Sequence, residues 1–293
     1  MREFRYFTCD VFTDRVFGGN PLAVLVDAQG LTETEMQAIA REFNFSETTF
    51  VTPAANPRHT ARVRIFTPGG ELPFAGHPTV GTAFVLASTG MADGDLVFEQ
   101  GVGPVPVRIE RATDGHVVRC TLTAARLPER GPTPPEPAAL AAMLGLAEAD
   151  LAGPGECWSC GVDFLVIPLA SAGALTKARL DLARWRSALD HYVTQKVYPI
   201  ARVDDSTWRA RMFAPGLGVA EDPATGSAAA ALAGWLAGRS GRSSGTLNWE
   251  IRQGEEAGRP SRIFLAADLE RGSPTAVRVG GASVMVCEGV FRL

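Results

Sequence analysis

ELPFAGHPTVGTAFVLA (residues 71–87) and EDPATGSAAAALAGWLA (residues 221–237) align without a gap, Glu71 on Glu221, and this pairing decides how the chain is read. The likeness extends outward on both sides. Arg64-Ile-Phe-Thr-Pro68 is echoed by Arg211-Met-Phe-Ala-Pro215, and Phe98-Glu-Gln-Gly101 by Ile251-Arg-Gln-Gly254. Two apolar helices could resemble each other by chance. Chance does not explain flanking Arg-x-Phe-x-Pro and Gln-Gly pairs that fall in the same order. Duplication of about half the chain is the economical reading.

The pattern between these landmarks suits strands wrapped around one helix in each half. REFRYFTCDVFT alternates as a strand does, and PLAVLVDA follows as a buried one, with Gly18-Gly19-Asn20-Pro21 as turn chemistry between them. LTETEMQAIAREFN carries a capping box, Thr32 to Glu35, and helical apolar spacing at Leu31, Met36, Ile39 and Phe43. TTFVTP, TARVRIFTP, DLVFEQG and VPVRIER are further strands, with the helix HPTVGTAFVLASTG between the second and third, ended by Gly90. The Pro-rich segment Leu127 to Leu140 is the best linker candidate. Beyond it come a short helix (PAALAAMLG), a strand (VDFLVIPL), a helix around DLARWRSALDHYV and one strand in WRARMFAP. The alanine-rich helix follows, then strands near TLNWEIRQG, SRIFLAAD, TAVRVGG and ASVMVCEGVFRL. The expected halves are residues 1–122, with the last strand 280–293 returning to them, and residues 123–279. Both central helices are small or apolar on nearly every face, as a helix enclosed by sheet must be.

Composition narrows the partners. With 293 residues, 46% hydrophobic and 20% charged, the chain can bury a sizeable core. Its formal charge of −4 and lack of a Lys/Arg cluster argue against nucleic acid. MREFRYFTCDVF is neither a signal nor a transit peptide, and SAAAALAGWLAG is too short to span a bilayer. Five scattered cysteines suggest reduced thiols and a cytoplasmic setting. Cys157-Trp-Ser-Cys160 has redox spacing, but no second ligand pair lies nearby for zinc. Its context, GPGECWSCGVDFLVIPL, looks like a loop entering a strand, and the two thiols are read as structural. No HExxH, Walker loop or GxGxxG after a strand supports a metal or nucleotide cofactor, so none is expected.

The two helix starts, Gly76-His77 and Gly226-Ser227, are the chemically interesting places. A helix N-terminus presents unpaired N–H groups and partial positive charge, which suit a carboxylate or phosphate. Glycine there lets a ligand approach the backbone. Two such ends facing one another would hold a small anionic molecule from both sides. Four side chains could move or steer protons. His77 titrates near neutrality in its unperturbed state. Asp222 precedes the second helix and Ser227 lies in its first turn. Glu47 sits in FNFSETTFV between apolar stretches, an enclosure that suits a carboxyl group as proton carrier. Plainer readings stand beside these: His77 as cap or core histidine, Asp222 as an N-terminal charge partner, Ser227 as a first-turn hydroxyl. His59, His116 and His191 (the last placed in a helix) are read as surface groups.

GGNPLAVL, NFSETTFV, GGELPFAGHPTVG, EDPATGSAAAALA and RQGEEAGRPS together resemble the PhzF family of phenazine-biosynthesis-like isomerases, over nearly the whole chain. The resemblance implies an α+β, diaminopimelate epimerase-like fold: two pseudo-symmetric halves, each a barrel-like, mostly antiparallel sheet around a central helix, with the active site between them. It assigns the proton-shuttling role to Glu47, completes the catalytic set with His77, Asp222 and Ser227, and counts Asn20, Ser46, Gly76 and Gly226 among the substrate-binding residues. It also implies a homodimer that needs no cofactor, acts on a small carboxylate-bearing substrate and binds neither nucleic acid nor membrane. The family's best-known reaction is isomerisation of trans-2,3-dihydro-3-hydroxyanthranilate.

One departure matters. Racemases and epimerases with this fold use a cysteine before each helix-start glycine, and this chain has Ala75 and Thr225 there. Stereoinversion by two thiolates is thereby excluded. One carboxylate carrying a proton between two substrate atoms is the reading left in front. A different epimerase or racemase chemistry and a non-catalytic anion-binding relative are the alternatives. Ala257, where the family often has methionine, is a smaller departure.

Overall fold

The computed structural model describes residues 1–293, which form two compact units. The first comprises Met1–Ala125 together with Val279–Leu293, and the second Arg126–Arg278.

In the first unit the elements are β1 (Glu3–Val11), β2 (Asn20–Leu25), α1 (Glu33–Phe43), β3 (Glu47–Thr52), β4 (Ala61–Thr67), β5 (Gly70–Leu72), α2 (Gly76–Ser88), β6 (Leu96–Gln100), β7 (Gly103–Arg111) and β8 (Val117–Thr123). β19 (Ser283–Arg292), which the chain reaches last, pairs antiparallel with β1 from Glu3↔Arg292 to Val11↔Ser283. β2 and β3 run parallel, β3 and β4 antiparallel, β4 and β6 parallel, and β6, β7 and β8 antiparallel in turn. Every residue of α2 from Gly76 to Ala87 is buried, because β1, β2, β3, β7, β8 and β19 all touch it. Such a helix cannot be amphipathic: each polar position would need its own partner. Thr82 meets that demand by sharing a 2.8 Å hydrogen bond with Thr49. α1 lies outside, its Met36 and Ile39 packed on a layer that includes Leu25, Phe50 and Phe66. Its expected capping box is formed, with Glu35 N donating to Thr32 Oγ1 at 3.2 Å and Thr32 N to Glu35 Oε2 at 2.8 Å.

The second unit holds β9 (Glu129–Arg130), α3 (Pro137–Met143), β10 (Glu156–Ser159), β11 (Asp163–Leu169), α4 (Ala172–Lys177), α5 (Leu182–Leu189), β12 (Val197–Arg202), β13 (Thr207–Ala210), β14 (Met212–Ala214), β15 (Val219–Asp222), α6 (Gly226–Ala237), β16 (Gly245–Gln253) and β17 (Ser261–Glu270). β18 (Ser273–Gly281) carries the chain back. The pairing order repeats that of the first unit. β11 and β12 are parallel, β12 is antiparallel to β13 and β14, β13 is parallel to β16, and β16 is antiparallel to β17. Even the register is kept: Arg62 faces Glu99 as Arg209 faces Arg252.

The sequence echo acquires a physical meaning here. Arg64 grips Glu71 with bonds of 2.7 and 2.5 Å, and Arg211 grips Glu221 with two of 2.8 Å. Each is a forked arginine–carboxylate clamp at the entrance to a central helix. The Gln-Gly pairs serve the same loops. A Cβ on Gly101 would stand 2.7 Å from Pro73 Cα, and one on Gly254 would stand 2.5 Å from Pro223 O. Only glycine lets the end of β6 or β16 approach the pre-helix loop so closely.

Several local expectations are corrected. The segment 127–140 is no free linker: β9 pairs with β10, and Leu140 is fully buried beside Leu165 and Trp185. Cys157 lies on a strand, β10, rather than in a loop, and Cys160 Sγ contacts Arg126 O at 2.7 Å. WRARMFAP gives two strands, not one. Arg211 faces Pro199, to whose carbonyl it donates at 3.0 Å, and proline has no N–H to complete the pair. β8 was passed over in the sequence reading. His191 falls after α5, and His59 is half-buried against Glu99 Oε1 at 3.0 Å. All five cysteines are free, Cys287 alone being exposed. No helix is long and apolar enough to cross a membrane.

Candidate active site

In the first unit, five of the anticipated residues come together. The parallel β2–β3 pairing sets Glu47, the first residue of β3, opposite Leu22. Asn20 opens β2, Ser46 immediately precedes β3, and Gly76 and His77 are the first two residues of α2. His77 is 4% exposed and is not a cap: Ala75 holds that position and offers no side-chain acceptor. The imidazole Nδ1 lies 3.3 Å from Asn20 Nδ2, and Nε2 lies 3.5 Å from Glu47 Oε2. Ser46 Oγ donates to Asn20 Oδ1 at 3.0 Å. That bond leaves the amide nitrogen of Asn20 facing the ring. Burial drives the His77 pKa down to about 3, against the smaller opposing effect of a hydrogen bond to the Pro21 backbone. The imidazole is therefore neutral at physiological pH. The Glu47 side chain is 16% exposed, enclosed yet open to a ligand.

In the second unit, Asp222 ends β15, Gly226 begins α6 and Ser227 follows it. Asp222 is 5% exposed, Gly226 is buried and Ser227 is half-buried. Thr225, at the N-cap, donates to Asp222 Oδ2 at 2.5 Å instead of capping the helix. Gln253 Nε2 donates to the Asp222 carbonyl at 2.8 Å and to Thr225 Oγ1 at 2.9 Å. Its Oε1 accepts from Thr225 N and from Tyr198 Oη, each at 3.3 Å. Burial and the nearby Asp222 charge push the Tyr198 phenol well above its ordinary pKa, so it keeps the proton it donates. Neither α2 nor α6 has a side-chain cap, and first-turn N–H groups of this kind bind anions.

The sequence reading missed Gln253 and Tyr198. The repeated Gln-Gly pair already marked Gln253. No pattern marks Tyr198, which the parallel crossover to β12 brings to its place.

An α+β fold with two similar halves, each a sheet around one central helix, defines the diaminopimelate epimerase-like class. Residues 9–289 match the family described as phenazine biosynthesis-like protein, and the chain belongs to that family. An uncharacterized isomerase of Mesorhizobium japonicum is 41% identical, with 99% of each chain covered. The trans-2,3-dihydro-3-hydroxyanthranilate isomerase of Pseudomonas aeruginosa is 39% identical, over 97% of this chain and 98% of its own length. A solved phenazine biosynthesis protein of the PhzF family from Bacillus anthracis superposes with a TM-score of 0.88 at 26% identity, with 100% of both chains covered. The chain is an enzyme of the isomerase class.

Proposed function

We propose that this enzyme moves a proton within a small carboxylate-bearing substrate, without a cofactor, in the manner of a trans-2,3-dihydro-3-hydroxyanthranilate isomerase. The Glu47–His77 contact at 3.5 Å carries the reading. Glu47 as carboxylate takes a proton from one substrate carbon, the substrate π electrons shift, and Glu47 as acid returns the proton to another carbon. Atoms and charge balance within the substrate, and the carboxylate is regenerated. Neutral His77, beside Glu47, orients that carboxyl group or a polar group of the substrate. Asn20 and Ser46 hold the ring in place. The N–H groups at Gly76 and Gly226 are assigned to substrate anion binding, Asp222 to orienting the substrate, and Ser227 to donating a hydrogen bond. Ala75 and Thr225 in place of thiols count against racemisation by two cysteines.

Glu47→Gln keeps the shape and removes the proton carrier. Turnover of trans-2,3-dihydro-3-hydroxyanthranilate should fall at least to the upper end of the roughly 10²–10⁴-fold contributed by one acid/base group. Near-normal turnover in that variant would sink the assignment, and α-deuteration of an amino acid in D₂O without isomerisation would favour an epimerase instead.

A further inference from the structure

The hydrogen bonds that join Asp222, Thr225, Gln253 and Tyr198 have only one consistent direction. The Asp222 carbonyl can only accept, so the Gln253 atom 2.8 Å from it is the amide nitrogen. The same nitrogen donates to Thr225 Oγ1 at 2.9 Å, which fills that hydroxyl's acceptor role. The remaining Gln253 oxygen faces two donors, Thr225 N and the Tyr198 hydroxyl. Thr225 has one hydroxyl proton, and the 2.5 Å contact with Asp222 Oδ2 is where it goes. Every member of the chain is buried: Tyr198 at 0%, Gln253 at 1%, Asp222 at 5% and Thr225 at 7% exposure. In so dry a setting, a reversed or missing bond leaves an unsatisfied polar group and is costly.

The duplicated unit shows what this glutamine does when no carboxylate is present. Gln100, its counterpart, donates only to Thr79 Oγ1 at 2.8 Å, and that hydroxyl returns to the Ala75 carbonyl at 2.7 Å. Gln100 Oε1 has no hydrogen-bond partner there. Leu72 and Ala75 stand where the second unit has Asp222 and Thr225. Holding the pre-helix loop therefore needs the glutamine and its glycine, but not the threonine–carboxylate bond. That bond serves something beyond loop structure.

We infer that Tyr198, Gln253 and Thr225 are positioning residues that fix Asp222 as a proton-accepting carboxylate, leaving it to take a hydrogen bond from an N–H or O–H group of the substrate. This rests on the proposed substrate role of Asp222. The polarity is set by a chain of donors that ends on the carboxylate, and hydrogen bonds to a charged form favour that form.

The full chain labelled with ¹³C at aspartate carboxyl carbons supplies the test, the Asp222 signal being identified by its loss in Asp222→Asn. In Thr225→Val, which keeps the shape without the hydroxyl, the Asp222 titration should move upward from wild type by roughly one pH unit. Turnover of trans-2,3-dihydro-3-hydroxyanthranilate should fall about tenfold or more, as expected of a mispositioned group. Thr225→Ser restores the donor and should return both readings toward wild type. Gln253→Glu frees the hydroxyl to turn away from Asp222 and should also raise the titration. A wild-type titration in Thr225→Val, or a Thr225→Ser protein that behaves like Thr225→Val, would overturn the inference. Full activity in Asp222→Asn would instead remove Asp222 from the proposed function, a separate failure from an unmoved titration.

Discussion

His77 sits without charge in a dry place, and that has a cost in acid. Its pKa is about 3 in the folded chain and 6.5 as a free side chain. Between these values the unfolded chain binds a proton that the folded one refuses. Stability is therefore complete above about pH 6.5 and falls as pH drops toward 3, by about 1.4 kcal/mol per pH unit at the steepest. A His77→Gln variant lacks this titration. Urea unfolding near pH 7 and pH 5 should show wild type losing about 2 kcal/mol more than the variant. Equal losses would mean that the imidazole is not held neutral. The sequence placed a histidine at a helix start but could not tell a cap from a buried neutral imidazole. The difference lies in Asn20 and Ser46, which are distant from it in sequence and hold the ring.

The central helices were legible as elements because enclosure leaves a plain mark: thirteen residues from Gly76 to Ser88 with hardly a charge-bearing side chain. Their fit to the sheet was not legible. Gly81 lies mid-helix, where alanine normally gains about 1 kcal/mol over glycine. Here an added Cβ would stand 2.6 Å from both Leu22 Cδ2 and Val11 Cγ2, and 3.3 Å from Cys9 Sγ. Overpacking of this kind costs about 1–3 kcal/mol, so the balance turns against alanine. Gly81→Ala should lower the free energy of unfolding by up to about 2 kcal/mol rather than raise it. A gain in stability would show that the β1–β2 surface gives way more easily than its packing indicates. Strand breaks were hidden for a related reason. The split between β13 and β14 is caused by Pro199 on the neighbouring strand, and a strand's own sequence does not name its neighbour.

At the scale of the whole molecule, duplication was readable from side chains that turned out to be clamps: Arg64 and Arg211, Glu71 and Glu221, and the two Gln-Gly pairs. Residues holding the same local geometry recur in each unit, while the apolar positions between them differ. The last strand was expected to return to the first unit, and the reason for it is backbone pairing. β19 is bonded to β1 along its length, and beyond the strands Arg2 N donates to Leu293 O at 2.6 Å while Leu293 N donates to Arg2 O at 3.0 Å. The two ends of the chain are thus held side by side by their own backbones. A short Gly/Ser linker joining residues 2 and 293 would close a gap that folding already closes, and such joins are well tolerated. New ends can be opened at the exposed Asp114-Gly115 turn between β7 and β8, which contributes no buried side chain. The permuted chain should unfold within about 5 °C of wild type. Deleting Ser283–Leu293 should do the opposite, since β1 then loses its antiparallel partner from Glu3 to Val11 and α2 loses one wall. A permuted chain that fails to fold while the deletion remains stable would show that the β1–β19 pair does not hold the first unit together.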